Sequence, residues 1–289
     1  MERALNLIMN NKNECVILMD NGSHRPESTL TLRKIASKLS DSLNVKVNPV
    51  SLLHSTKVSS EKLNGIKAEI LEPYIIKQCE QGVDSFYILP FFFGQSGALK
   101  DYLPERINEI KKNWANVSVK LAPTLVNMED KEDFSVSNII AEFVDDKILS
   151  EKLVKPYITL VDHGTPLIEV NKVRNHITNQ LKILLGDKVS DVKASSMERR
   201  DGKQYEFNEP LLENILGSGN FIKNVILAML FISPGRHAGK GGDIDQICEK
   251  AEQKCATLKT YKSELFAEHP DVIKILSKRY DEGKGLQSL

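Results

Sequence analysis

The chain lacks most of what would mark it as secreted, membrane-bound or nucleic-acid-binding. Its four cysteines stand at 15, 79, 248 and 255 and form no C-x-x-C pair. Neither a disulfide framework nor an iron–sulfur or structural zinc site is supported, and reduced, buried thiols are the simplest reading. Charge of either sign is not in excess, since 39 Lys and Arg balance 39 Asp and Glu. No global field would draw the chain to nucleic acid or to a membrane, and an anionic ligand must be met by a local cluster of cations. Long apolar runs are missing as well. "FYILPFFF" (86–93) and "VILAMLFI" (225–232) fall far below membrane-spanning length, and "MERALNLIMNNKNEC" has no apolar core long enough for a signal peptide. The expectation is a cytoplasmic protein, or one in an equivalent reducing compartment. Nucleotide motifs are absent too. "GRHAGKGG" is one residue short of a Walker spacing, Gly241 stands where Ser or Thr would hold magnesium, and no G-x-G-x-x-G follows a first strand.

What is present is alternation. The 289 residues, 41% hydrophobic and 27% charged, suit two soluble domains of about 150 residues each. Short β-branched runs alternate with helical periodicity, the pattern of βαβ units and parallel sheets. Strands are predicted at 15–20, 45–50, 85–92 and 117–122, with helices between them and a further helix at 135–150. The order then restarts with strands at 157–162, 188–194, 224–232 and, weakly, 257–260, and a terminal helix near 270–279.

The punctuation repeats with the periodicity, at an offset of about 140 residues. Asp20-Asn21-Gly22-Ser23 matches Asp162-His163-Gly164-Thr165, and Glu72-Pro73 matches Glu209-Pro210. The chain therefore reads as two copies of one domain, 1–152 and 153–289, divided in the charged stretch 145–156. In an open parallel sheet, ligands bind beyond the carboxyl ends of the strands where strand order reverses. His163 follows the first strand of the second copy and His237 follows its third, so both imidazoles should enter one crevice. Two such rings can hold a borderline divalent metal or accept protons. Glu209, opening a helix in the same copy, is a candidate third member, although a Glu there also suits the helix dipole. His176, His54 and His269 are read as structural or surface residues.

With these residues in view, the sequence resembles the sirohydrochlorin chelatases, also called sirohydrochlorin cobaltochelatases or class II chelatases. The matching pieces are "LVDHGTP" (160–166), "EVNKVR" (169–174), "MERRDGKQYEFNEPLL" (197–212) and "FISPGRHAGKGGDI" (231–244), with weaker echoes in "LMDNGS", "LEPY" and "LPFFFGQSGALKDYLP" of the first half. The resemblance implies an α/β fold of two duplicated lobes, each a four-stranded parallel sheet flanked by helices, with a cleft between lobes for a tetrapyrrole. It implies a lyase that inserts Fe2+ or Co2+ into sirohydrochlorin for sirohaem or cobalamin biosynthesis, without ATP. The divalent metal would be a substrate, and no organic cofactor would be needed. The family's metal-binding and proton-accepting histidines fall on His163 and His237, and its Glu-Pro element on Glu209-Pro210. Because sirohydrochlorin is a polycarboxylate, Arg236, Arg174, Arg199, Arg200 and Lys240, all in or near the matched motifs, are candidate substrate contacts.

In the first lobe Asn21 and, with Asp101 matched to the family's acidic residue after the second histidine, Gly97 take the places of the two histidines, so that lobe is expected to lack the chemistry. His24, three residues beyond Asn21, could reach back as part of a weak second metal site. A non-catalytic metal or tetrapyrrole carrier with the same cleft is the alternative. A histidine-based phosphoryl-transfer enzyme fits less well, because Asp162 precedes His163 and Ala238 follows Arg236-His237. No nucleic acid or membrane partner is expected, and the chain is read as a monomer with internal duplication or as a homodimer.

Overall fold

The computed structural model describes residues 14–289. Residues 1–13, most of the stretch read as lacking a signal-peptide core, lie outside them. Strands β1 (Glu14–Asp20), β2 (Val47–Ser51), β3 (Ser85–Pro90) and β4 (Ser118–Leu121) form one parallel sheet in the order β2-β1-β3-β4. Strands β5 (Tyr157–Asp162), β6 (Asp191–Ser196), β7 (Asn224–Met229) and β8 (Lys259–Lys262) form a second in the order β6-β5-β7-β8. The central strands β1, β3, β5 and β7 are almost continuously buried apolar runs, as strands covered on both faces must be. Pro49 is tolerated in β2 because that strand is an edge.

The crossovers of the first sheet are α1 (Pro26–Leu43), α2 (Leu71–Glu80) and α3 (Leu103–Asn113). α1 opens on a proline, whose fixed φ suits a first helical turn, and stops at Asn44 in the left-handed region. Those of the second sheet are α5 (Ile168–Leu185), the short α6 (Leu212–Ile215) and α7 (Asp243–Lys254). Two helices remain, α4 (Ser135–Ser150) and α8 (Val272–Gly283).

The chain divides into two compact units, one running up to Leu125 together with Ile273–Leu289, the other Val126–Val272. This differs from the division at 152 read from the repeat. In the second unit α4 packs on α5, with the Ser137 hydroxyl donating to Gln180 Oε1 at 2.6 Å where both are buried. In the first unit α8 is tied down by the buried Arg279, whose guanidinium donates to the Leu125 carbonyl at 2.8 Å, and by the Tyr87 hydroxyl, which donates to the Tyr280 carbonyl at 2.6 Å. The last helix of each sequence repeat thus completes the other unit.

Several predicted strands are shifted at their ends, β2 starting at Val47 and β3 stopping at Pro90 among them. Residues 188–190 are not in β6, because α5 runs to Leu185 and a 3-10 turn occupies Gly186–Lys188. β6 therefore starts and ends later than read, at Asp191 and Ser196. β7 stops at Met229, short of the predicted 232. Glu209 does not open a helix as expected: it is in extended backbone after a 3-10 turn at Lys203–Asn208, and α6 starts only at Leu212.

Candidate functional site

Strand order reverses beside β5 and β7, so the loops that follow these strands open onto one crevice at their carboxyl ends. The first loop is shaped by a close backbone approach. Gly164 has φ +92 and packs so tightly that a Cβ would stand 1.9 Å from the carbonyl oxygen of Glu198. Only glycine allows both the conformation and the contact. The amides of Met197 and Glu198 donate to the carbonyls of Asp162 (2.8 Å) and His163 (3.2 Å), which joins the end of β6 to the end of β5.

Asp162 is buried behind this turn, and its Oδ1 accepts from the Gly164 amide (3.1 Å) and the Ser196 hydroxyl (2.6 Å). Arg174 lies 4.0 Å from it. Burial pushes the Asp162 carboxyl up from its ordinary range, against the pull of Arg174 and the two hydrogen bonds, and burial also lowers Arg174. Both partners are displaced towards neutrality, so desolvation outweighs their attraction, and the pair acts as a locating device more than a net source of stability.

His163 stands on this frame with its side chain 46% exposed. Its Nδ1 is 3.1 Å from the Gly164 carbonyl, which can only accept, so Nδ1 carries the proton and Nε2 presents a lone pair. Nε2 lies 3.4 Å from Oε1 of Glu198. Two acceptors at that separation repel unless a cation or a proton stands between or beside them.

His237 comes from the loop after β7. Its Nδ1 is 2.5 Å from Oδ2 of Asp243, the first residue of α7, and its carbonyl accepts from the Ile244 amide at 3.2 Å. The carboxylate fixes ring and tautomer, again leaving Nε2 as the open nitrogen. The two imidazoles meet edge to face, with centroids 4.5 Å apart and planes at 61°. They open on a cavity of about 480 Å³ lined also by Met197, Glu198, Arg236 and Asp243 and, from α7, by Gln246, Ile247 and Lys250. Among the described residues no group of three or more His, Cys, Asp or Glu converges as a metal cage. The centre is a pair of imidazoles flanked by carboxylates, open to exchange.

The remaining expected site residues are distributed differently. Glu209 does not line this cavity. Its Oε1 takes Arg199 Nε at 2.7 Å and its Oε2 accepts the Leu211 amide at 2.9 Å, and Arg199 holds its carboxyl below the usual range. Glu198 and Asp243 are the carboxylates beside the imidazoles. Arg174 is 2% exposed and donates to the Ser196 hydroxyl (2.5 Å), the carbonyls of Asn208 (2.9 Å) and Phe207 (3.2 Å), and Asn175, which leaves no donor for a ligand carboxylate. Arg199 is committed to Glu209 and to the carbonyl of Arg200, and the exposed Arg200 lies over the Tyr205 ring. Arg236 is 80% exposed at the cavity, 3.8 Å from Asp243, whereas Lys240 is exposed but outside the lining. Lys250, missed from the sequence, is the second cation facing the imidazoles. Its spacing with Asp243, Gln246 and Ile247, at i, i+3, i+4 and i+7 of a helix, is the signal that could have found it.

The first unit repeats the turn without the chemistry. Gly22, at φ +85, would place a Cβ 1.7 Å from the Leu53 carbonyl. Asn21 stands in the position of His163 and Leu53 in that of Glu198, as the shared pairing of Asp20 with Ser51 and of Asp162 with Ser196 shows. Counting from the first residues of α1 and α5, buried Leu32 takes the place of Arg174.

A model of the CbiX family matches residues 15–130. No curated protein matches the sequence. Among solved structures, SirB from Bacillus subtilis with Fe3+ superposes with a TM-score of 0.66 at 13% identity, covering 94% of this chain and 96% of SirB. The sirohydrochlorin chelatase SirB of Bacillus subtilis subspecies spizizenii, in complex with cobalt, gives 0.66 at 13% identity over 96% and 99% of the two chains. A multi-domain protein of Deinococcus radiodurans with structural similarity to chelatases gives 0.63 at 15% identity, over 96% of this chain and 57% of its own. The fold is thus the chelatase fold. The family match falls on the unit without the imidazole pair, whereas the motifs of the resemblance are strongest in the other.

Proposed function

We propose that the chain is a metal chelatase that inserts Fe2+ or Co2+ into sirohydrochlorin, with the His163 and His237 pair as its working centre; the match of residues 15–130 to a CbiX family model and the chelatase fold of both units support this reading. The observation that carries this reading is the pair itself, two rings 4.5 Å apart, each held through Nδ1, which leaves Nε2 as the nitrogen for an ion. Insertion needs three things from a protein: weak ligands that strip water from the ion stepwise, acceptors for two pyrrole protons, and a wall that bends the macrocycle. Imidazole Nε2 atoms can serve the first two in turn. Two imidazoles beside Glu198 make an incomplete shell, from which an ion can pass to the ring, unlike the closed four-ligand shell of a structural site. Arg236 and Lys250 supply local positive charge for a polycarboxylate on a chain with no net charge.

The metal is a substrate, and imidazole with carboxylate accepts Fe2+ and Co2+ alike. The test is an anaerobic assay that follows sirohydrochlorin absorbance with each ion in turn. His163→Ala or His237→Ala should lower the insertion rate on the order of 10²-fold or more, while Asn21→Ala should leave it within a few-fold. A chain that binds ion and tetrapyrrole yet leaves the insertion rate at its uncatalysed value would be a carrier, and the reading would fail.

A further inference from the structure

Four of the six histidines stand in two ring pairs, one in each unit, and metal insertion as described above uses only the second. In the first unit the centroids of His24 and His54 are 5.4 Å apart, with planes 32° from parallel. Both residues are exposed, and among the described residues neither ring donates or accepts a hydrogen bond. By its spacing, three residues beyond Asn21, His24 is expected to reach back into the crevice. The structure places it against His54, a residue from the loop after β2.

The pair is held by the backbone. The amides of Leu52 and Leu53 donate to the carbonyls of Asp20 (2.8 Å) and Asn21 (3.2 Å), and the Ser23 amide donates to the Ser55 hydroxyl at 3.3 Å. His54 has φ 66 and ψ −34, and the Ser55 amide reaches over it to the Leu53 carbonyl at 2.8 Å. This is a γ-turn of the positive-φ form, which is rare and strained for any side chain. Strain of this kind persists where surrounding structure over-determines it, and it gathers at ligand sites. Counted from Ser51 and Ser196, the residue of the second unit in the place of His54 is Arg199, which has no positive φ. The turn is therefore a feature of the first unit alone.

The ring spacing has a direct chemical reading. Nitrogens bound to one ion at about 2.0–2.1 Å, with an angle of about 90–115° between them, put the two ring centroids roughly 4.5–5.4 Å apart. Both ring pairs, at 4.5 Å and 5.4 Å, are close enough for one nitrogen of each ring to reach a shared ion. We propose that His24 and His54 form a second, independent site for a divalent transition ion that favours imidazole, such as Co2+, Ni2+ or Zn2+, with water completing its shell. No third His, Cys, Asp or Glu joins them among the described residues, so the site is open and exchanges its ion readily. Mg2+ and Ca2+, which demand oxygen ligands, are excluded by the same donor set.

The test uses the full chain carrying His163→Ala and His237→Ala, titrated calorimetrically with Co2+. One ion should still bind, Ni2+ should displace it, and millimolar Mg2+ should not. Adding His24→Ala, or His54→Asn, which tolerates a positive φ, should weaken Co2+ binding at least tenfold with an unchanged far-ultraviolet circular dichroism spectrum. In the unmutated first unit, Co2+ should shift the imidazole NMR signals of His24 and His54 but not those of His176 or His269. That measurement keeps the proposal testable if a variant fails to fold. Absence of Co2+ binding in the double variant, affinity within twofold after the His24 or His54 change, or unshifted His24 and His54 signals would each overturn it. None of these readouts depends on whether the chain inserts metal into a tetrapyrrole.

Discussion

Nδ1 of His237 donates to Oδ2 of Asp243 across 2.5 Å, and this one bond decides which nitrogen of the ring is left for an ion. Carboxylates in this position raise the basicity of a ligating imidazole and hold its tautomer. Asp243→Asn should therefore weaken Co2+ binding at the second-unit pair by about 10–100-fold while the ring itself remains. A Co2+ titration of the variant, in a His24→Ala background to isolate the pair, measures it. Unchanged affinity would show that the ring is oriented by its loop alone.

Glu198 and Glu209 make opposite forecasts. Glu198→Gln should lower metal affinity and insertion together, because it removes the carboxylate 3.4 Å from His163 Nε2. Glu209→Gln should leave Co2+ affinity within a few-fold and act on stability, because it releases Arg199 and the Leu211 amide. Side-by-side metal titration and urea unfolding of the two variants separates them, and a larger loss of affinity in Glu209→Gln would reverse the assignment.

Asp20 makes stability depend on pH. Its side chain is buried, Oδ1 has no hydrogen-bond partner, and burial pushes its pKa up to about 6 against the ordinary 3.8. The folded state therefore holds the proton more tightly than the unfolded chain does. The contribution is whole below about pH 4 and is lost as pH rises through about 6, an effect on the order of 3 kcal/mol. Asp20→Asn should unfold at higher urea than the parent at pH 8, with the gap closing by pH 4. A gap independent of pH would mean that Asp20 does not titrate in this range.

Arg174 should behave as part of the interior. Arg174→Leu, which copies Leu32 of the first unit, leaves Asp162 buried without its counter-charge and should cost about 3–5 kcal/mol. Adding Asp162→Asn should recover part of the loss. Urea unfolding of the single and double variants gives the coupling directly, and strict additivity would argue that the 4.0 Å pair is not an interacting one.

Arg236 should behave as a surface contact. Arg236→Ala should weaken sirohydrochlorin binding by about 1.5–3 kcal/mol if it meets a carboxylate, and Arg236→Lys should restore only part because the planar fork is lost. Fluorescence titration at two salt concentrations checks this, and parent-like affinity in Arg236→Ala would move attention to Lys250.

Much of this was legible in the sequence because its signals are local. The repeated Asp-x-Gly turn, the alternation of strands and helices, and the two histidines at strand ends follow from spacing alone, and the structure brings His163 and His237 together. Glu198 was hidden by a slip in β6, which was read as ending at 194, so that Glu198 fell four residues out in a loop instead of two beyond the strand end at Ser196. The role of Arg174 is not legible in the sequence, because a charged residue inside a matched motif looks the same whether it faces a ligand or a buried aspartate. Nothing in a lone loop histidine announces a γ-turn, so the sequence does not single out His54. The exchange of α4 and α8 could not be read from periodicity, which reports an amphipathic helix without saying which sheet it covers.

That exchange has a bearing on how the protein is made. Synthesis runs from the amino end, and domains generally fold as units while they emerge. The unit Val126–Val272 is continuous, whereas the earlier one is completed by Ile273–Leu289. Until Arg279 reaches the Leu125 carbonyl and Tyr280 accepts the Tyr87 hydroxyl, the first sheet is without its last covering helix. The unit translated first therefore depends on residues added much later, whereas the unit that holds the imidazole pair is built from one continuous stretch.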